Sequence, residues 1–203
     1  MINLHEEDGG YDTIPNIICY NTILNACAFS ASGNVDEKKR ALGVAVKTFK
    51  MLNEGKYTRP DALSYGNMLK CCSNLMPTGN DRISMASAIF STSCEEGLVG
   101  GMVLDEIRRS VPSKEFLLLL AKCGYDRPMR QHKNAMSVEL RHLPRIWTAN
   151  VKAGDMTSRQ RGGFAKHKGL SKIERSQAKL NAPPVIRKPG FLVEPSWASG
   201  KDV

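Results

Sequence analysis

Pro15-Asn16-Ile17-Ile18-Cys19-Tyr20-Asn21-Thr22-Ile23-Leu24-Asn25-Ala26-Cys27 is answered 45 positions later by Pro60-Asp61-Ala62-Leu63-Ser64-Tyr65-Gly66-Asn67-Met68-Leu69-Lys70-Cys71-Cys72. Both stretches open on Pro followed by Asn or Asp. In both, a Tyr, an apolar residue, a Leu and a Cys stand at i, i+3, i+4 and i+7: Tyr20, Ile23, Leu24, Cys27 and Tyr65, Met68, Leu69, Cys72. That spacing is one apolar stripe of an amphipathic helix. The Asx residue ahead of each stripe suits a chain turning into a helix, with Asn16 or Asp61 free to cap it. A helix recurring at a period of this size predicts stacked helical repeats.

Outward from these two helices the pattern continues. Ser30-Ala31-Ser32-Gly33 breaks the first, and Asn34 with Glu37 resembles a capping box that opens a partner helix. Leu42, Ala45, Val46, Phe49 and Leu52 form its apolar stripe, and Gly55 stops it. After the second copy, Pro77-Thr78-Gly79-Asn80-Asp81 makes the turn. Ile83, Ala86, Ile89, Phe90 and Ser93 then face one way, up to Gly97. Val103, Leu104 and Ile107 suggest a third first-helix. Ser113 is placed to cap a short helix over 114–123. Leu117 to Leu120 make that helix apolar nearly all round, so cover on both sides is expected. The expected architecture is all-α: a superhelix of stacked hairpins over 14–124, with repeat one at 17–61, repeat two at 62–96 and a degenerate third hairpin at 100–124. Residues 125–151 read as a partly ordered cap in which Val138 to Leu143 form a turn or two of helix and Trp147 packs against the last helix. Residues 152–203, rich in Gly, Lys, Arg, Ser and Pro, read as a basic disordered tail.

Composition fits this picture. Apolar residues make up 41% of the 203 and aromatics 6%, which suits thin helical layers better than one thick core. The charge is uneven. Residues 1–124 carry 13 Lys/Arg against 14 Asp/Glu, and residues 125–203 carry 16 against 6. A neutral body with a basic arm points to nucleic acid or a ribosome as partner. The six cysteines lie mostly on expected helix faces and read as reduced core thiols rather than a disulfide framework. No run approaches the ~18 apolar residues of a membrane span. Residues 1–13 hold Glu6, Glu7, Asp8 and Asp12, the opposite of an Arg-rich, acid-poor transit peptide. Residues 1–13 read either as an acidic N-terminal stretch or, because Pro15-Asn16 looks like the end of an earlier repeat, as the remainder of a truncated earlier repeat in a longer array.

Ile18-Cys19-Tyr20-Asn21-Thr22-Ile23-Leu24-Asn25-Ala26-Cys27, with Pro60-Asp61 closing the unit, resembles a pentatricopeptide repeat. The Leu143-Pro144-Arg145-Ile146-Trp147 run resembles the closing segment of algal members of that family. The likeness covers roughly 14–124. At 45 residues the first repeat is longer than the family's usual unit, and the excess lies in the Ser/Gly turn and the run Asp36 to Arg40. The resemblance implies non-catalytic binding of single-stranded RNA in a mitochondrion or plastid, supporting RNA processing, stability or translation, with no cofactor, membrane or small-molecule substrate.

The resemblance also implies roles for residues. One base meets each repeat on the surface of the first helices. Asn21 and Asp61 would read its edge together, with uracil the implied base. Ile18 and Leu63 would sandwich it. Read without the family, Asn21 is an exposed helix residue, Asp61 a plain N-cap, and Ile18 and Leu63 edge-of-core positions. Gly66 stands where Asn21 stands in the first copy, so the second repeat lacks a reader. In the tail, Arg159, Arg161, Phe164, Lys166 and Lys168 have the composition of flexible RNA-binding segments, with cations for phosphate and a ring for stacking. Their other reading is a solubilising arm.

No catalytic site emerges. His5, His132, His142 and His167 have no Cys or carboxylate at ligand spacing. Cys71-Cys72 is not a CxxC, and no glycine loop precedes a Lys-Ser/Thr. Asp105-Glu106 reads as part of a solvated helix face. The competing class is a protein-interaction scaffold, since helical-hairpin arrays look alike whether they hold peptide or RNA.

Overall fold

The computed structural model describes residues 14–55, 57–125 and 137–156. Among them are six α-helices: α1 (Ile17–Phe29), α2 (Val35–Glu54), α3 (Ala62–Leu75), α4 (Asn80–Glu95), α5 (Gly101–Ser110) and α6 (Ser113–Lys122). The described residues hold no strand, and no described helix is long and apolar enough to cross a membrane. The fold is an all-α stack of helical hairpins. First helices α1, α3 and α5 lie side by side in one layer. Second helices α2 and α4 form the other layer, each packed on its own first helix and on the next one.

Local chemistry sets the helix ends. The Asn16 side-chain oxygen accepts from the N–H groups of Ile18 and Cys19, at 2.9 and 3.1 Å. Asn34 and Glu37 close a full capping box on α2. Asp61 and Ser64 close another on α3. These contacts satisfy first-turn donors that have no intrahelical partner. Ser113 does not cap α6. Pro112 holds that place without a side-chain cap bond, and Ser113 is the first helical residue.

Tyr20, Leu24, Cys27, Tyr65, Leu69 and Cys72 are all buried, as their spacing requires. Phe49 of α2 meets Tyr65 of α3 edge to face at 5.2 Å, which locks the first hairpin to the second. Ile23 departs from its stripe at 38% exposed. The buried side of α1 is Tyr20, Asn21, Leu24, Cys27 and Ala28, so its centre has rotated away from Ile23 toward α3. In α6, Phe116, Leu117, Leu119 and Leu120 are buried but Leu118 is exposed, so that helix is covered on one broad face and not on both sides. The cysteines are free, and burial pushes the Cys72 thiol up to about 12.

After Tyr125 the described chain resumes at Ser137 and returns to the stack. The Arg108 guanidinium donates to the Val138 carbonyl. Trp147 is buried with its ring edge-on to Phe90 at 6.1 Å. The Val99 N–H donates to the Trp147 carbonyl at 2.8 Å, and the Asn150 N–H donates to the Gly97 carbonyl at 2.9 Å. Gly97 is at φ +68°, and a Cβ there would lie 2.8 Å from the Ile146 carbonyl, so the return segment docks where only glycine leaves room. Val138 to Leu143 contains a single 3-10 turn at Leu140–His142. Lys152 to Met156, expected within the tail, are instead placed on the stack, with a 3-10 turn at Ala153–Asp155; residues 157–203 lie outside the described residues. Backbone bonds and a buried tryptophan hold this segment, and neither leaves a periodic apolar signature in sequence.

Candidate nucleic-acid interface

The site is built where the N-termini of α1 and α3 meet. Asn21 lies in the second turn of α1. Asp61 ends the long connection from α2 and caps α3. The Asn21 side-chain amide donates to Asp61 Oδ1 at 3.1 Å, across 40 positions of sequence. Helix α2 returns the chain past α1, so the residue closing the first hairpin arrives beside the start of that hairpin's own first helix.

A third residue completes the group. The Ser64 hydroxyl is 2.7 Å from Asn21 Oδ1 and 3.0 Å from Asp61 Oδ1. The Ser64 N–H donates to Asp61 Oδ1 at 2.9 Å. The Asn67 side-chain amide donates to the Asn21 backbone carbonyl at 3.3 Å. Asn21 is therefore not an exposed, unpartnered helix residue. It is buried at 7% exposed, on the side of Leu24 and Ala28, and shows solvent only an edge.

Lys152, from the return segment, places its ammonium 3.5 Å from Asp61 Oδ2. Burial pushes the Asp61 carboxyl up, but hydrogen bonds from Ser64 and Asn21 and the Lys152 charge outweigh that and hold it below its ordinary value. The folded pKa is depressed. This part of the stability is thus present above the ordinary carboxylate range, near pH ~3.9, and is lost as pH falls through the folded value. Acid unfolding of Asp61→Asn should accordingly lack the part of the wild-type slope that lies in that window. Identical slopes in a pH-resolved urea titration would remove Asp61 as its source.

The flanking apolar residues have different surroundings. Ile18 is 68% exposed on α1, and Leu63 is half-buried one helix over. Met102, half-buried on α5, continues the row. It follows Leu63 by 39 positions, as Asp105 follows Gly66 and Arg109 follows Lys70. The third copy reads as degenerate in sequence because, at this offset, Val99-Gly100 stands where Pro60-Asp61 does. At the second position the surface is closed. A Cβ on Gly66 would lie 2.7 Å from Met102 Cγ, and one on Gly100 would lie 2.7 Å from the Asp155 carbonyl. Gly66 thus serves close packing of α3 on α5, and the return segment lies where a second reading pair would stand.

Farther along the same layer, the Lys70 ammonium sits 4.1 Å over the ring of exposed Phe29. Arg109 is shared between Glu106, at 2.8 Å, and Asn74. Glu106 is buried and also accepts from the Ser73 hydroxyl, which corrects its assignment to a solvated face. Arg159, Arg161, Phe164, Lys166 and Lys168 lie outside the described residues. Sequence reading missed Ser64 and Lys152. Ser64 carries a signal, Asp-x-x-Ser at the start of a helix, whereas Lys152 carries none.

No family model, curated protein or solved structure matches the chain.

Proposed function

We propose that this chain binds single-stranded RNA without catalysis, reading one base at Asn21 and Asp61, and that it serves RNA processing, stability or translation in a mitochondrion or plastid. The observation that carries the reading is the 3.1 Å contact between these two side chains beside the apolar pair Ile18 and Leu63. The amide offers a donor and the carboxylate an acceptor. Uracil presents the complement, a carbonyl beside an imino N–H. Guanine has the same pattern on a larger ring, while cytosine and adenine reverse it. The organelle and the choice of uracil rest on the resemblance to pentatricopeptide repeats.

Fluorescence anisotropy with short oligouridine and oligocytidine strands tests this. Binding with a preference for uridine is the expected result. No binding at low salt, or equal affinities, would remove the proposal. A chain truncated after Met156 no longer carries Arg159, Arg161, Phe164, Lys166 and Lys168. It should bind every single strand more weakly, and its log K against log salt should flatten by about 0.7 for each phosphate that is no longer neutralised. An unchanged affinity and slope would make the tail only a solubilising arm.

A second reading has its own observation. Val35, Leu75, Met76 and Pro77 line a cavity of about 440 Å³ flanked by Lys38 and Lys39. Its apolar floor and cationic rim suit an acidic, partly apolar peptide, as in a protein-interaction scaffold. Competition separates the two readings: a peptide held there should leave RNA affinity unchanged.

A further inference from the structure

We propose that Ser64, acting together with the Asp61 carboxylate, sets the base preference of the site by fixing which end of the Asn21 side-chain amide is offered to a base; this rests on the RNA-binding reading above. A side-chain amide has two faces of opposite hydrogen-bonding character, and a half-turn about its last bond exchanges them. If Asn21 were free to make that turn, the site would accept keto and amino bases alike. Its selectivity therefore depends on whatever holds the amide.

The hydrogen bonds around Ser64 leave one consistent arrangement. The Ser64 hydroxyl oxygen accepts from the Asp61 N–H at 3.2 Å. Its single proton has two acceptors in reach, Asn21 Oδ1 at 2.7 Å and Asp61 Oδ1 at 3.0 Å. Asp61 Oδ1 already receives the Ser64 N–H and the Asn21 amide. Among the described residues Asn21 Oδ1 receives nothing except the Ser64 hydroxyl. The proton therefore goes to Asn21, which satisfies both acceptors. Turning the amide over would set the Asn21 carbonyl 3.1 Å from a carboxylate oxygen, acceptor against acceptor, inside a buried cluster. Ser64 itself is fully buried, so water cannot replace its hydroxyl without rearrangement.

In the held arrangement the Asn21 nitrogen gives one hydrogen to Asp61. Its second hydrogen, which no acceptor among the described residues takes, remains for a base carbonyl. Ser64 is thus a positioning residue. It touches no base, and it acts through Asn21.

The test measures oligouridine and oligocytidine affinities for the full chain as wild type, Ser64→Ala and Ser64→Thr, with a thermal melt of each. In Ser64→Ala the uridine-over-cytidine preference should shrink by about tenfold, with cytidine affinity held or raised. Ser64→Thr keeps the hydroxyl and should restore the preference. Ser64 also takes part in the capping box, so Ser64→Ala is expected to melt lower. A purely structural role would lower both affinities together and leave their ratio intact, and that outcome overturns the proposal. So does a preference lost equally in Ser64→Thr and Ser64→Ala. A wild type that shows no uridine preference removes the RNA reading itself, and this proposal with it. A wild type that discriminates beside an unchanged Ser64→Ala removes this proposal alone.

Discussion

Phe90→Ala is expected to destabilise the fold by about 3–5 kcal/mol. Phe90 is fully buried in α4. Its ring meets Phe116 of α6 at 6.4 Å and Trp147 of the return segment at 6.1 Å. Three elements far apart in sequence converge on this one side chain. Its removal opens a cavity and also deletes two ring pairs, each adding about 0.5–1.5 kcal/mol to area burial. Leu118→Ala is the control: that residue is 42% exposed on α6 and should cost far less. Urea unfolding followed by circular dichroism reads both variants. A Phe90→Ala loss near that of Leu118→Ala would mean that α6 and the return segment are not docked on α4 as described.

What was legible in the sequence is what local chemistry encodes. Tyr20, Leu24, Tyr65 and Leu69 declare their burial by spacing, and Asn16, Asn34 and Asp61 declare helix starts by type. Even the meeting of Asn21 with Asp61 followed from repeat geometry, since a hairpin must bring its end back to its beginning. The misplacements come from neighbours that spacing cannot name. Ile23 obeys the stripe of its own helix, yet α3 approaches α1 from the side of Asn21 and Ala28. Glu106 looks like a surface carboxylate until Arg109 and Ser73 enclose it. The return segment from Val138 to Asp155 is held by main-chain bonds to Gly97 and Val99, and main-chain bonds have no sequence signature. For that reason the sequence places Lys152 in a tail, although its ammonium sits on Asp61.

That placement bears on the outcome expected for Asn21→Ala. Loss of one base-edge pair should weaken binding to a uracil-bearing strand by about 1–3 kcal/mol relative to a strand with cytosine at the same position. The relative measure matters because Asn21 also has a structural share. Its removal leaves the Ser64 hydroxyl without its nearest acceptor and Asp61 Oδ1 with one donor fewer, a cost of roughly 1 kcal/mol in stability that lowers all affinities alike. Lys152 acts differently again. It is 70% exposed, and an exposed ion pair is worth about 0–1 kcal/mol, so a base can displace it from Asp61 Oδ2 at little cost. Lys152→Ala should then leave the uracil-to-cytosine ratio standing where Asn21→Ala abolishes it. Asp61→Asn, which replaces the acceptor by a group that also donates, should blunt the ratio as well. Combined with Asn21→Ala it should add little, because two side chains that bond one base as a unit are not additive. Full additivity of the two changes, or a ratio that survives Asn21→Ala, would show that the contact between Asn21 and Asp61 holds two helices together and reads nothing.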